Sequence, residues 1–242
     1  MKESGDATSF FSTEADRWTG LYERKAEFRD RLALFTGGVK KAIPLPAKIL
    51  DYGCGSGVIS LALGSSGYEV LGLDGSKEMV SVARQNQRLH NISNVRFEQT
   101  EASQMDLAPL SFDVVICSSV IEYIEDDTAL IKKLISTIRP GGYLLISIPH
   151  TRSFLGGIED RLRRVNWYKN RCGREFLRYS LRRYDPDSFL QMLRESEMEE
   201  INATYFEAPV GGRLGVWLSR WHVIGMMLFV TARKVTVGNV CE

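Results

Sequence analysis

Two carboxylates frame three alternate glycines in the stretch Lys48 to Asp74, which reads K-I-L-D-Y-G-C-G-S-G-V-I-S-L-A-L-G-S-S-G-Y-E-V-L-G-L-D. Gly53, Gly55 and Gly57 let the backbone turn tightly and approach a ligand with no side chain in the way. Asp51, just ahead of them, would repel a pyrophosphate and attract an ammonium or sulfonium group. Asp74 is placed to accept hydrogen bonds from a ribose diol, which a dinucleotide and an adenosyl compound share. A dinucleotide fingerprint would read G-x-G-x-x-G, and Val58 stands where its last glycine belongs. A cationic ligand fits better.

These residues need a strand, a turn, a helix and a second strand to hold them. Ile49 and Leu50 run into Asp51 as a short buried strand, and Val58, Ile59, Leu61, Ala62 and Leu63 supply the apolar face of a helix that Gly64 and Gly67 stop. Tyr68 to Leu73 form the next strand. The result is a βαβ unit with a ligand crevice at the carboxyl ends of its strands.

At this point the chain resembles the class I S-adenosylmethionine-dependent methyltransferases, whose motif D-x-G-x-G-x-G is matched by Asp51, Gly53, Gly55 and Gly57. The resemblance implies an α/β fold: a Rossmann-like, seven-stranded, mostly parallel sheet with helices on both faces and the last strand antiparallel. It also implies S-adenosyl-L-methionine as cofactor, held by Asp51, Gly53, Cys54, Gly55, Asp74, Gly75, Ser76, Met79, Glu101, Ala102 and Ser118. In that family an acid followed by a small residue holds the adenine edge, and Glu101 with Ala102 takes that place with Glu for the more usual Asp. Ser118, Ser119, Val120 and Ile121 do not match the D/N-P-P-Y/F tetrapeptide of methyltransferases that act on nucleic-acid bases, so no nucleic-acid substrate is expected. The segments V-I-E-Y-I-E-D and R-P-G-G-Y-L-L-I-S-I-P are similar to the ubiquinone-biosynthesis type of O-methyltransferase, with Tyr123 where that subgroup usually has His.

Composition narrows the classes further. The 242 residues are 44% hydrophobic with a formal net charge of +1, enough for one substantial core and too balanced for a generic polyanion binder. Cys54, Cys117, Cys172 and Cys241 lack C-x-x-C spacing and stand beside only three histidines, which indicates neither a metal site nor a disulfide framework. A reducing cytoplasm is the expected location. Met1 to Ser9 is polar and is no signal peptide, and the apolar run Val223 to Val230 is too short to span a bilayer.

In chain order, residues 1–9 read as disordered, and Phe10, Phe11, Trp18, Leu21, Tyr22, Phe28, Leu32, Leu34 and Phe35 then recur at helical intervals. Residues 1–46 form a helical arm, which Gly37 and Gly38 break, and residues 47–242 form the cofactor-binding domain. Small-molecule members of the resembled family often close such an arm over the cofactor, which makes Arg17, Trp18 and Tyr22 the candidates for shaping the acceptor pocket. Further helices are expected from Ser76 to Leu89, Asp126 to Ile138 and Pro186 to Ser196. Strands are expected at Val95 to Gln99, Phe112 to Cys117, Tyr143 to Ile148, Glu200 to Phe206 and Gly225 to Arg233.

The chemistry expected is transfer of the sulfonium methyl group to an oxygen, or else a nitrogen, of a small molecule. An oxygen acceptor has to lose a proton. His150, just past the fifth strand, is the leading candidate base because imidazole titrates near neutral pH; Glu122 is the second, and Tyr123 beside it is assigned to the acceptor side. Thr151 to Tyr184 is a basic insertion in which Arg161, Arg163, Arg164, Lys169, Arg171, Arg174, Arg178, Arg182 and Arg183 are interleaved with aromatic residues. It suits a lid over an anionic or amphiphilic acceptor, peripheral contact with an anionic membrane surface, or a solvated helical face. Two rival functions remain at this level: a dinucleotide-dependent oxidoreductase, and a non-catalytic scaffold that binds an adenosyl ligand.

Overall fold

The computed structural model describes residues 4–101, 107–154, 157–158, 179–207, 217–218, 220–221 and 223–236. The chain opens with α1 (Ser4–Arg24) and α2 (Ala26–Ala42) and then alternates through β1 (Lys48–Tyr52), α3 (Val58–Gly64), β2 (Glu69–Asp74), α4 (Lys77–Leu89) and β3 (Val95–Gln99). After β4 (Phe112–Ser118) come a single 3-10 turn at Ile121–Tyr123, α5 (Asp127–Thr137), β5 (Ile138–Pro149), α6 (Pro186–Glu195), β6 (Met198–Phe206) and β7 (Met227–Lys234).

The strands form one seven-stranded sheet in the order β3-β2-β1-β4-β5-β7-β6. β1, β2, β3, β4 and β5 pair in parallel, and β7 runs antiparallel to both β5 and β6. The order reverses between β1 and β4, which opens a crevice at their carboxyl ends. Successive strand residues feed opposite faces, so Ile49, Val114, Ile116 and Leu145 enter one core with Phe35 and Val39 of α2. Leu50, Val115, Leu144 and Ile146 enter the other, with Leu134 of α5 and Leu193 of α6. Burial of both faces explains why these strands read as continuous apolar runs.

The expected disorder of residues 1–9 gives way to a helix from Ser4, because α1 lies across the crevice and against α4, where Ser12 Oγ and Ser76 Oγ are 2.9 Å apart. Gly37 and Gly38 do not break α2, which continues to Ala42. A Cβ at Gly38 would meet Leu145 Cδ2 at 2.8 Å and Phe229 Cζ at 3.2 Å, so this glycine lets the helix lie close on the sheet. β5 also starts earlier than Tyr143: Ile138 already pairs with Phe112, and an irregularity then carries the register to Tyr143 opposite Val114. Positions 159–178 of the basic insertion lie outside the described residues.

Candidate functional site

A cavity of ≈ 860 Å³ lies at the carboxyl ends of β1, β2 and β4, beneath α1. Its floor is the glycine loop. Gly53 N and Cys54 N donate to Leu73 O at 2.7 and 2.9 Å, which folds the loop back over the end of β2. Gly53 has φ +71° and a Cβ there would sit 2.2 Å from Val120 Cγ2, so the protein itself requires glycine at that position. Gly55, at φ +53°, has only the Trp18 indole near its missing Cβ, at 3.5 Å, and faces the cavity.

Both acids of the loop line the cavity. Asp74 Oδ2 accepts from Gly55 N at 2.8 Å and Oδ1 from Ser76 N at 2.9 Å. Burial raises the Asp74 carboxyl, and these two amides work against that rise. Asp51 is 1% exposed, with Oδ2 accepting from Ser60 Oγ at 2.6 Å. Burial pushes its carboxyl up to about 6, partly offset by Ser60 and reinforced by the charge of Asp74. The buried Asp51, raised further by the charge of the half-buried Asp74, forms with it a wall suited to a cation bearing hydroxyl groups.

Cys54, Gly75, Ser76, Met79, Glu101 and Ser118 line the same cavity. Ser76 caps α4 by accepting from Met79 N at 3.1 Å, which brings the methionine, 1% exposed, to the wall. Ser118 Oγ is buried with no hydrogen-bond partner among the described residues. Ala102 lies outside them.

The roof is aromatic. Trp18 meets Phe11 and Phe28 edge-on at 5.2 and 5.7 Å, Tyr22 meets Phe28 at 5.1 Å, and Phe11 meets Tyr123 at 5.3 Å. Trp18, Tyr22 and Tyr123 all line the cavity. Arg17 points elsewhere: its side chain is 76% exposed and pairs with Glu14 at 3.6 Å. In a helix, residues one apart face different directions, so Trp18 turns in and Arg17 out.

The two candidate bases are separated by their surroundings. His150 is fully buried away from the cavity lining, with Nε2 at 2.8 Å from Gly225 O and its ring 4.8 Å from that of Tyr205. Its backbone bridges to Tyr184, so it fastens the segment after β5 to the sheet. Glu122 lines the cavity instead, 3% exposed, with Oε2 buried and without a hydrogen-bond partner among the described residues. Burial pushes its carboxyl up to about 8; Arg31 and Arg183 pull it down, and Glu207 pushes it up. Leu181 N donates to Glu122 O at 2.8 Å and clamps the turn.

Arg31, Glu207 and Arg183 complete this end of the cavity; of the three, the sequence singles out only Arg183, as one cation of the insertion. Arg31 carried a signal: the buried face of α2 is Phe28, Arg31, Phe35 and Val39, so a cation occupies a core position of an amphipathic helix. Glu207 carried none, since it follows β6 at φ 60° and meets Arg31 only through the fold. Among the described residues no group of three or more His, Cys, Asp or Glu side chains could hold a metal ion, and no helix is long and apolar enough to cross a membrane.

Residues 46–195 match the family model described as a methyltransferase domain. The ubiquinone biosynthesis O-methyltransferase of Xanthomonas campestris pv. campestris is 39% identical over 114 residues, covering 45% of this chain and 46% of that protein. The protein of that name from Pseudomonas fluorescens is 31% identical over 142 residues, covering 57% and 60%. The chain thus spans about half the length of the curated relatives it matches. Among solved structures, a Haemonchus contortus phosphoethanolamine N-methyltransferase 2, in complex with phosphomonomethylethanolamine and S-adenosylhomocysteine, superposes with a TM-score of 0.67 at 17% identity. That match covers 97% of this chain and 60% of the other and speaks to the fold.

Proposed function

Because the chain belongs to the methyltransferase family, whose domain it matches over residues 46–195, we propose that it methylates an oxygen of a small molecule held between the glycine loop and the α1 roof. The observation that carries this reading is the Glu122 carboxyl, buried in the cavity wall with Oε2 unpartnered and its affinity for protons raised into the working range. A group poised there takes a proton from an acceptor hydroxyl far better than an ordinary carboxylate does.

S-adenosyl-L-methionine fits the other end of the cavity. Asp51, raised by burial and by Asp74, is relieved by a cationic ligand, and Asp74 keeps lone pairs for a diol after accepting from Gly55 and Ser76. Gly53, Cys54, Gly55, Gly75 and Ser76 bring backbone to the ligand, and Met79, Glu101 and Ser118 stand along the same wall. When bound, the cofactor supplies a methyl carbon that bonds to the acceptor oxygen as its bond to sulfur breaks and the electron pair stays on sulfur. The chain's own work is to bury that encounter under Trp18, Tyr22 and Tyr123, to hold both reactants in line, and to receive the hydroxyl proton on the Glu122 carboxyl. His150 is set aside as the base because it lies off the cavity.

The test is calorimetry with S-adenosylhomocysteine and with NAD, followed by labelled methyl transfer to phenols, carboxylates and lipid-like quinols. Binding of the first ligand alone and transfer to a hydroxyl, lost in Glu122→Gln with cofactor affinity unchanged, are the expected results. Wild-type turnover by Glu122→Gln would overturn the assignment, and failure to methylate any acceptor would favour a non-catalytic binding scaffold.

A further inference from the structure

One cation in the cavity has a setting that methyl transfer alone does not account for. Arg31 is 8% exposed and lines the cavity from α2. One of its terminal nitrogens pairs with Glu207, the guanidinium carbon lies 5.2 Å from the Phe28 ring centroid, and Nε is buried with no hydrogen-bond partner among the described residues. Glu122 Oε2, also in the cavity lining, is in the same condition. Native interiors leave few buried polar atoms unmatched, and a guanidinium N–H is among the costliest to leave so. The residues that carry this orphan donor and this orphan carboxyl oxygen line one cavity, where a ligand can bring matching groups.

The two orphans call for different partners. Arg31 Nε–H can only donate, and a planar carboxylate matches the edge of a guanidinium best. Glu207 already takes part of the Arg31 charge, so a dianion at the same edge would be repelled by its carboxylate, whereas a single negative charge is tolerated. Glu122 calls for a hydroxyl. Each feels the other: the Arg31 charge favours ionised Glu122, and Glu122 favours charged Arg31.

We infer that the Arg31 guanidinium is a subsite for a carboxylate carried by the methyl acceptor, so that the substrate class is a hydroxy acid whose hydroxyl faces Glu122. Arg31 is then a specificity-determining residue. The inference rests on the oxygen-transfer reading for the hydroxyl, and on the geometry of Arg31 alone for the carboxylate. The aromatic roof of Trp18, Tyr22 and Phe28 further favours a hydroxy acid with a flat apolar body.

Matched hydroxybenzoates and hydroxybenzamides, alike in shape and different in charge, separate the two parts. Titrated into protein saturated with S-adenosylhomocysteine, the carboxylates should bind at least about tenfold more tightly than the amides. Arg31→Gln should erase that preference with cofactor affinity unchanged. Since Arg31→Gln leaves Glu207 buried and unpaired, the double variant Arg31→Met with Glu207→Met guards against misfolding and should likewise lose the preference. Glu207→Gln should keep or sharpen it. Equal affinity for acid and amide in the wild type, or a preference surviving in both Arg31 variants, would overturn the subsite. Labelled transfer reads the underlying reaction separately: methylation of acid and amide with equal efficiency overturns the subsite alone, and a binding preference with no methylation of either supports the subsite and overturns oxygen transfer.

Discussion

Asp74 Oδ2 accepts a hydrogen bond from Gly55 N at 2.8 Å while Oδ1 accepts from Ser76 N at 2.9 Å. One carboxylate at the end of β2 therefore ties the glycine loop after β1 to the first turn of α4. In Asp74→Asn one oxygen becomes an amide NH₂ that meets a backbone N–H head-on. With a hydrogen bond to a charged group worth roughly 1.5 to 3 kcal/mol, the S-adenosylmethionine dissociation constant should rise about tenfold or more. Acceptor affinity should not change. Calorimetry with each ligand decides it, and an unaltered cofactor constant would remove Asp74 from the cofactor site.

Glu122 should make stability fall with rising pH. Its folded carboxyl holds a proton up to about 8 against an ordinary value of 4.5, so between those values the folded chain binds more protons than the unfolded one. The stability it contributes is complete at the acid end of that window and is lost toward the alkaline end. Glu122→Gln cannot ionise, so its melting temperature should match the wild type near pH 5 and exceed it by several degrees near pH 9. Asp51 has the same sign but is present in both proteins and cancels. Parallel melting curves across the range would mean that Glu122 is not desolvated.

The contact that Gly38 makes with the sheet can be tested by one carbon. In Gly38→Ala the added Cβ would lie 2.8 Å from Leu145 Cδ2 and 3.2 Å from Phe229 Cζ, and relief requires α2 or those side chains to shift. A loss of about 1 to 3 kcal/mol is expected in denaturant unfolding, despite the better helix propensity of alanine. A gain in stability would show that α2 sits farther from β5 and β7.

Trp18 joins the arm to the loop, with its indole 3.5 Å from the Cβ position of Gly55 and edge contacts to Phe11 and Phe28. Trp18→Ala should weaken cofactor binding and expose α1 to trypsin at Arg17 and Arg24. Saturating S-adenosylhomocysteine should restore less protection than it does in the wild type. Identical digestion patterns would leave the indole no role in closing the cavity.

Peripheral membrane contact is one expectation for the basic insertion, and the chain exposes aromatic residues within it and after it: Phe154 is 66% exposed, Trp217 56% and Trp221 58%. Arg163→Glu with Arg164→Glu, and separately Trp217→Ser with Trp221→Ser, should each reduce co-sedimentation with vesicles containing anionic lipid. Binding through charge should weaken as salt shortens the screening length below about 8 Å. If neither pair of substitutions changes sedimentation, the insertion has no membrane role.

What the sequence determined by itself was set by near neighbours. The spacing of Gly53, Gly55 and Gly57, the acids Asp51 and Asp74, and the apolar runs of β1, β4 and β5 are local patterns, and the sheet implied by the family they resemble is the sheet observed, β7 antiparallel included. Local pattern failed where a residue's surroundings come from distant chain. Gly37 and Gly38 read as helix breakers, because sequence does not reveal that Leu145 and Phe229 pack where a side chain at Gly38 would stand. His150 and Glu122 were both titratable groups following sheet strands, and only the fold puts one beneath Gly225 and the other on the cavity wall. Arg31 and Glu207 are 176 positions apart, and their pairing is a product of α2 and the end of β6 closing on one cavity. Burial, and with it the charge and hydrogen-bonding state of every group in that cavity, is a property of the assembled chain: it depends on which segments exclude water from the group, and that is absent from the residues beside it.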